Sequence, residues 1–182
     1  MIRREIYEMV CARLSRIYVS SSGDYFVVQT GDDVPAGCER AIMHIDLWNH
    51  NVEFIEQEDQ WERPAVFVEF GELRWQVMDK PVGVRCYRCR GSVVRLHVVT
   101  DWHGSSAAGS AFMDESLKVF DLLDCIRVVL VGAAGAHFSR FDLIESRTNH
   151  NHEEIVENVE SFSFVAAEGL LQDRREIGRM AE

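Results

Sequence analysis

The sequence predicts an α+β fold, an antiparallel β-sheet flanked by an N-terminal helix and a long central helix. Two patterns predict it. Apolar residues recur at steps of three and four near the N-terminus and again over 112–131, as on one face of a helix. The β-type runs are grouped between and after those segments instead of alternating with helices, which disfavours a parallel βαβ arrangement. The 182 residues are 47% hydrophobic and 27% charged, enough apolar surface for a globular core. We expect a single α+β domain over 1–166 and a charged C-terminal tail over 167–182.

Along Arg3 to Ile17, the residues Ile6, Met9, Val10, Leu14 and Ile17 form the apolar face of the first helix, and Gly23 closes the Ser-rich stretch that follows. Tyr25 to Gln29 has the residues of a short strand, and Gly31 to Gly37 those of a loop. Between Ala41 and Trp48, Met43, Ile45 and Leu47 alternate with His44 and Asp46, a half-buried strand pattern. Val52 to Glu62 is rich in carboxylates and reads as an exposed loop or solvated strand. Pro64 to Phe70 is the most hydrophobic β-type run, with Pro64 at a first position, where a missing N–H costs least. Gly71-Glu72 leads into Leu73 to Met78, and the two runs are expected to form a hairpin.

Val84 to Arg90 reads as a strand separated by Gly91 from Ser92 to Thr100, whose two apolar faces mark a central strand. After a flexible 101–110 connection comes the second helix, Phe112 to Val131, ended by Gly132. Phe138 to Ser146 is expected as a strand and Asn149 to His152 as a polar loop. The segment from Ile155 to Ala166 fits either state: Ile155, Val156, Val159 and Phe162 suit a helix, while Val159 to Val165 is rich in β-formers.

Charge and cysteine content narrow the function. Lys plus Arg total 19 against 30 Asp plus Glu, for a formal charge of -11. That balance argues against a surface built to grip phosphates, although not against transient passage of DNA. Much of the negative charge lies in 53–62 and around Glu153 to Glu160. Five cysteines, an odd number scattered through the chain, do not make a secreted disulfide framework, and Cys11 and Cys125 fall on apolar helix faces as small hydrophobes. No apolar run approaches the roughly 20 residues that cross a bilayer, and the N-terminus lacks a signal peptide's apolar stretch. A cytoplasmic protein without membrane partners is expected.

Candidate chemistry is sparse. His44 and Asp46 put two ligand-type groups on one strand face, but a metal site would need a distant third ligand such as His97 or His152. His150 and His152 precede Glu153 and Glu154 in a polar loop, and Cys86 and Cys89 form a lone CxxC with no second ligand pair nearby. His97, in the most buried-looking strand, suits a core or interface histidine with one hydrogen bond better than a general base. Asp101, His103 and Ser105 have the residue types of a triad, yet triads assemble in space and no G-x-S-x-G surrounds the serine. Neither a P-loop nor G-x-G-x-x-G occurs, and Gly132-Ala-Ala-Gly135 follows a helix, the wrong context for a dinucleotide. No catalytic residue, cofactor or metal is therefore expected. The one basic stripe, Arg85, Arg88, Arg90 and Arg95, suits pairing with acids of 53–62 or of another copy better than nucleic-acid contact.

The order of elements resembles the tail-completion, or tail terminator, proteins of tailed bacteriophages and prophages. It is carried by the amphipathic first helix, Ile45-Asp-Leu-Trp48, the Pro-led run Pro64-Ala-Val-Phe-Val-Glu-Phe70 and Val94-Arg-Leu-His-Val98. A long helix, a strand and an Asn-His turn before a last apolar segment complete it, over about 1–166. The resemblance implies a non-enzymatic structural protein that forms a ring, a hexamer when assembled. Such a ring caps the tail tube and meets the head–neck connector. It also implies assembly in the bacterial cytoplasm and a final place in the virion tail or neck. Another neck or connector subunit is the nearest alternative, and a small metal-binding enzyme using His44, Asp46 and a distant His is the alternative of a different class. In a ring, Glu53, Glu56, Glu58 and Asp59 would either face a lumen or a subunit seam and repel DNA phosphates as a genome slides past, or form a plain solvated outer face.

Overall fold

The computed structural model describes residues 2–52, 61–79, 85–90, 92–149, 155–166 and 171–172. In chain order the elements are α1 (Ile2–Leu14), β1 (Ile17–Val19), β2 (Tyr25–Val27), β3 (Glu39–Arg40), β4 (His44–Leu47), β5 (Ala65–Phe70), β6 (Arg74–Asp79), β7 (Arg85–Arg90), β8 (Ser92–Asp101), α2 (Met113–Leu130), β9 (Asp142–Asn149), β10 (Ile155–Phe164) and β11 (Leu171–Gln172). The main sheet runs β4-β5-β8-β10-β9, with smaller sheets β2-β1-β3 and β11-β7-β6. The fold class is the expected α+β, and β8 is the central strand that its two apolar faces predict.

Both helices pack on one face of the main sheet. Ile2, Ile6, Val10 and Leu14 of α1 recur every four residues and meet Leu122, Ile126 and Leu130 of α2 over Val66, Val68, Leu96, Val98 and Phe162 of the strands. Burying each such side chain contributes about 1.5–3 kcal/mol, which outweighs the few tenths lost by placing Ile and Val in a helix. Phe138, Phe141, Phe162 and Phe164 close one end of this core as an aromatic cluster, with Phe141 and Phe162 rings 5.9 Å apart. A smaller core on the opposite face joins Phe67, Ala65, Val99 and Ile155 to Val52, Trp48 and Trp61.

Several segments depart from the sequence expectation. The first helix stops at Leu14, because Ile17 to Val19 pairs with β2 and β3 and Arg16 donates to Val28 O and to Gln29 Oε1. The segment at 155–166 is a strand: β10 pairs along its whole length with β8 and over most of it with β9, a ladder that overrides its helical periodicity. The regular strand before it begins only at Asp142, while Phe138 forms a single bridge to Ala166.

The expected hairpin between 64–70 and 73–78 does not form. Gly71 N–H donates instead to Val93 O, which prolongs the β5–β8 ladder, and β6 leaves that sheet to pair with β7. The β6–β7 hairpin is thus an excursion between two neighbouring strands of the main sheet. Part of the tail joins it, since β11 adds to β7. Residues 173–182 lie outside the described residues.

One strand pair is parallel. β4 runs alongside β5 with His44 opposite Ala65 and Leu47 opposite Val68, whereas the other pairs of the main sheet are antiparallel. A parallel neighbour requires a crossover of about a dozen residues or more, and the acidic stretch of the sequence lies in that connection. Its two described ends, at Trp48 to Val52 and at Trp61, pack on the sheet face opposite the helices.

The turn after α2 is tied back to α1. Gly132 takes φ 79° to end the helix, and Arg13 donates to Val129 O among its last carbonyls (2.9 Å). Glu5 accepts from Ala136 N–H (2.6 Å) and pairs with His137 (2.5 Å). A side chain at Gly135 would run into the Phe138 ring and the Glu5 carboxylate, so the approach needs glycine. Burial pushes the Glu5 carboxyl upward, but the contacts from His137 and Ala136 prevail and hold it below its ordinary 4.5. Because the folded value is the lower one, this contribution is complete above 4.5 and is lost as pH falls through the folded value. Glu5→Gln should lower the melting temperature at pH 7 and flatten its decline in acid, measured by thermal denaturation across pH 3–7.

Candidate functional site

Two clusters of ionisable residues lie within the main sheet, one on each of its faces. β10 carries Glu157 and Glu160, whose acids suggest a solvated segment, yet they are only 2% and 1% exposed. They point to opposite faces because their separation is odd. These two carboxylates are therefore internal; Glu160 meets a guanidinium and Glu157 an imidazole.

On the helix-free face, a line of polar side chains crosses four strands. Glu69 of β5 contacts His97 Nε2 at 3.1 Å, and His97 Nδ1 lies 2.5 Å from Glu157 of β10. Asn149 of β9 donates to Glu157 at 2.6 Å, and Arg95 donates to Glu69 at 3.0 Å. Register creates the line: Phe67 is opposite His97, and Val99 is opposite Glu157, so Glu69 and Glu157 are both diagonal neighbours of the histidine. A neutral imidazole has one N–H, whereas an imidazolium donates to both carboxylates at once. Trp48 stacks on His97 with ring centroids 3.7 Å apart and planes 7° from parallel, so the crossover rests on this cluster. The histidine contacts a carboxylate through each ring nitrogen where one hydrogen bond was expected.

On the helix face, Arg127 of α2 forks onto Glu160 through Nε and Nη2 at 3.0 and 2.9 Å. Ser146 donates to the same carboxylate at 2.8 Å, and Asp124 accepts from Arg127 Nη1 at 2.8 Å. The Glu160 contact raises the guanidinium above its ordinary value, with burial opposing. Sequence reasoning missed both clusters. The available signal was reciprocal: a central strand holding Arg95 and His97, and a β-rich run holding two glutamates, each need opposite charges if buried.

The other candidate residues stay apart. His44 lies 3.9 Å from Asp46 at the solvent and stacks near Trp61, while His97 already spends both ring nitrogens on carboxylates. No group of three metal-ligating side chains occurs among the described residues; His150, His152, Glu153 and Glu154 lie outside them. Cys86 and Cys89 are positions three apart on β7, and Cys89 is buried against Ser92. Asp101 pairs with Arg63 at 2.5 Å, and Ser105 Oγ accepts from Ala107 N–H. Of the basic stripe, Arg95 is committed to Glu69, and Arg85, Arg88 and Arg90 are positions on β7. Glu53, Glu56, Glu58 and Asp59 lie outside the described residues.

The outward side of α2 is the conspicuous surface. Leu117, Phe120 and Val128 are 40%, 53% and 68% exposed and lie on one stripe with Val131, opposite the face that enters the core. Exposed acids, Asp114, Asp121 and Asp124, are interspersed with them. Beside its N-terminal half is an open groove of about 450 Å³ lined by Trp102, Leu117, Phe120 and Asn158 among others. Asn158 Oδ1 accepts from Thr148, but its buried Nδ2 has no partner among the described residues.

No protein-family model matches the chain, and no curated protein matches it significantly. Among solved structures, a chain in the virion of a native gene transfer agent particle is similar at 12% identity, with a TM-score of 0.39 over 70% of this chain and 79% of that chain. At that level the likeness bears on neither family nor function. No described helix is long and apolar enough to cross a membrane.

Removing one partner of a buried pair leaves the other charge uncompensated. Arg127→Met should destabilise the fold by about 3–5 kcal/mol, and Arg127→Met with Glu160→Leu by clearly less than the single change. Urea denaturation of the two variants checks this.

Proposed function

We propose that this chain is a non-enzymatic structural protein of a tailed phage or prophage, a tail terminator that assembles as a ring, hexameric when complete. In that role it caps the tail tube and joins it to the head–neck connector. The observation that carries the reading is the outward face of α2. A surface helix of a free-standing domain turns charged residues to water, whereas here Leu117, Phe120, Val128 and Val131 are turned outward over more than three helical turns. Such a face suits a subunit that meets other proteins. The element order on which the tail-terminator resemblance rests supports the more specific role. So does the state of the buried ionisable groups, since Glu157, Glu160, His97 and Arg127 are engaged in holding strands and helix together.

The acids Glu53, Glu56, Glu58 and Asp59 belong to the crossover between β4 and β5, and in this proposal they face the lumen or a subunit seam. Multiplied around a ring, their charge keeps contact with passing DNA repulsive and brief. Assembly takes place in the bacterial cytoplasm, and the protein remains in the tail or neck of the particle.

In a phage or inducible prophage that carries the gene, its deletion should leave filled heads and separate tails, visible by negative-stain electron microscopy, with joining restored by the gene in trans. Particles that join normally without it would sink the reading. Replacing the four crossover acids by their amides should reduce ring stability or DNA delivery, measured as assembled particles and as infective titre. Wild-type values for both would remove the acids from the mechanism.

A further inference from the structure

A buried donor lies in the lining of the groove beside α2. Asn158 is 3% exposed, and its Oδ1 accepts from Thr148 Oγ1 at 2.7 Å, which sets the orientation of the carboxamide. Its Nδ2 has no hydrogen-bond partner among the described residues, and a buried donor without an acceptor costs about 1–3 kcal/mol. Trp102, Leu117, Phe120 and Ile155 wall the same groove, and none of its described lining side chains is charged. Leu117 and Phe120 also belong to the outward stripe of α2, so groove and stripe form one surface that continues to Val128 and Val131. Asp114 and Asp121 flank it, about 10 Å apart along the helix. Both are exposed, and neither has a hydrogen-bond or ion-pair partner among the described residues.

We infer that groove and stripe together dock an extended segment of another protein, one that carries apolar side chains together with Lys or Arg. The inference rests on the reading of α2 as a protein-contact face and gives that contact its chemistry. Asn158 Nδ2 calls for a carbonyl acceptor, and an extended backbone offers a free one at every residue, whereas a helix uses its own internally. The aromatic walls call for an apolar side chain in the groove. The two unpaired aspartates call for cations and repel nucleic-acid phosphates and acidic lipid headgroups. A chain of net charge -11 repels its own copies, so charge points the cation-bearing partner to a different protein. The stripe from Phe120 to Val131 runs about 16 Å along the helix, which about five extended residues span. A small molecule of suitable chemistry fills the groove but leaves Val128 and Val131 bare.

The test uses the full chain labelled with nitrogen-15 and a capped peptide of about eight residues in which Leu and Lys alternate. In the free protein the side-chain amide signals of Asn158, assigned by their loss in Asn158→Leu, should lie upfield, as for a donor without an acceptor. Titration with the peptide should move them downfield. Phe120→Ser and Asn158→Leu should each weaken binding about ten-fold or more, with backbone signals away from the groove unchanged. A peptide with Glu in place of Lys should bind wild type about ten-fold more weakly and regain affinity for Asp121→Lys. An Asn158 amide already hydrogen-bonded in the free protein shows that the chain supplies its own acceptor and overturns the inference. So do equal binding of the two peptides, binding untouched by Phe120→Ser and Asn158→Leu, or no binding of the Leu–Lys peptide. Self-association in sedimentation velocity that Phe120→Ser abolishes assigns the surface to a second copy and likewise overturns it. None of these outcomes bears on head–tail joining, which the deletion experiment judges alone.

Discussion

The structure depends on β10 being held between β8 and β9 while carrying two buried carboxylates on opposite faces. A glutamate that loses its water must find a cation and further hydrogen bonds, or its desolvation outweighs whatever the strand gains. Glu160 finds Arg127 and Ser146, which fixes α2 across the sheet and sets its rotation. Glu157 finds His97 and Asn149, and the histidine in turn supports Trp48 at the start of the crossover. One strand therefore specifies where the central helix lies and where the acidic connection is anchored. Apolar packing supplies more of the free energy; the ion pairs select among arrangements that packing alone would leave close in energy.

That selection has a consequence for the surface. With Arg127 engaged by Glu160, α2 turns Leu122, Ile126 and Leu130 inward and Leu117, Phe120 and Val128 outward. Rotating the helix to bury the outer stripe would pull Arg127 away from a carboxylate that is 1% exposed. The outward apolar face is thus enforced from within.

The sequence was legible where one pattern dominated. Ile6, Val10 and Leu14 mark α1, the run from Val93 to Val99, with apolar residues on both faces, marks the central strand, and both helices appear near where their spacing puts them. It was misleading where partners decided the outcome. The glutamates of β10 look solvated because nothing local announces His97 and Arg127, sixty and thirty-three positions away. Gly71-Glu72 looks like a hairpin link because the choice between β6 and β8 as partner of β5 is made by Val93, beyond the entire excursion. The parallel placement of β4 follows from the length of a crossover whose composition speaks only of charge. For the candidate surface, spacing alone shows the stripe on α2 once burial fixes which side is inward.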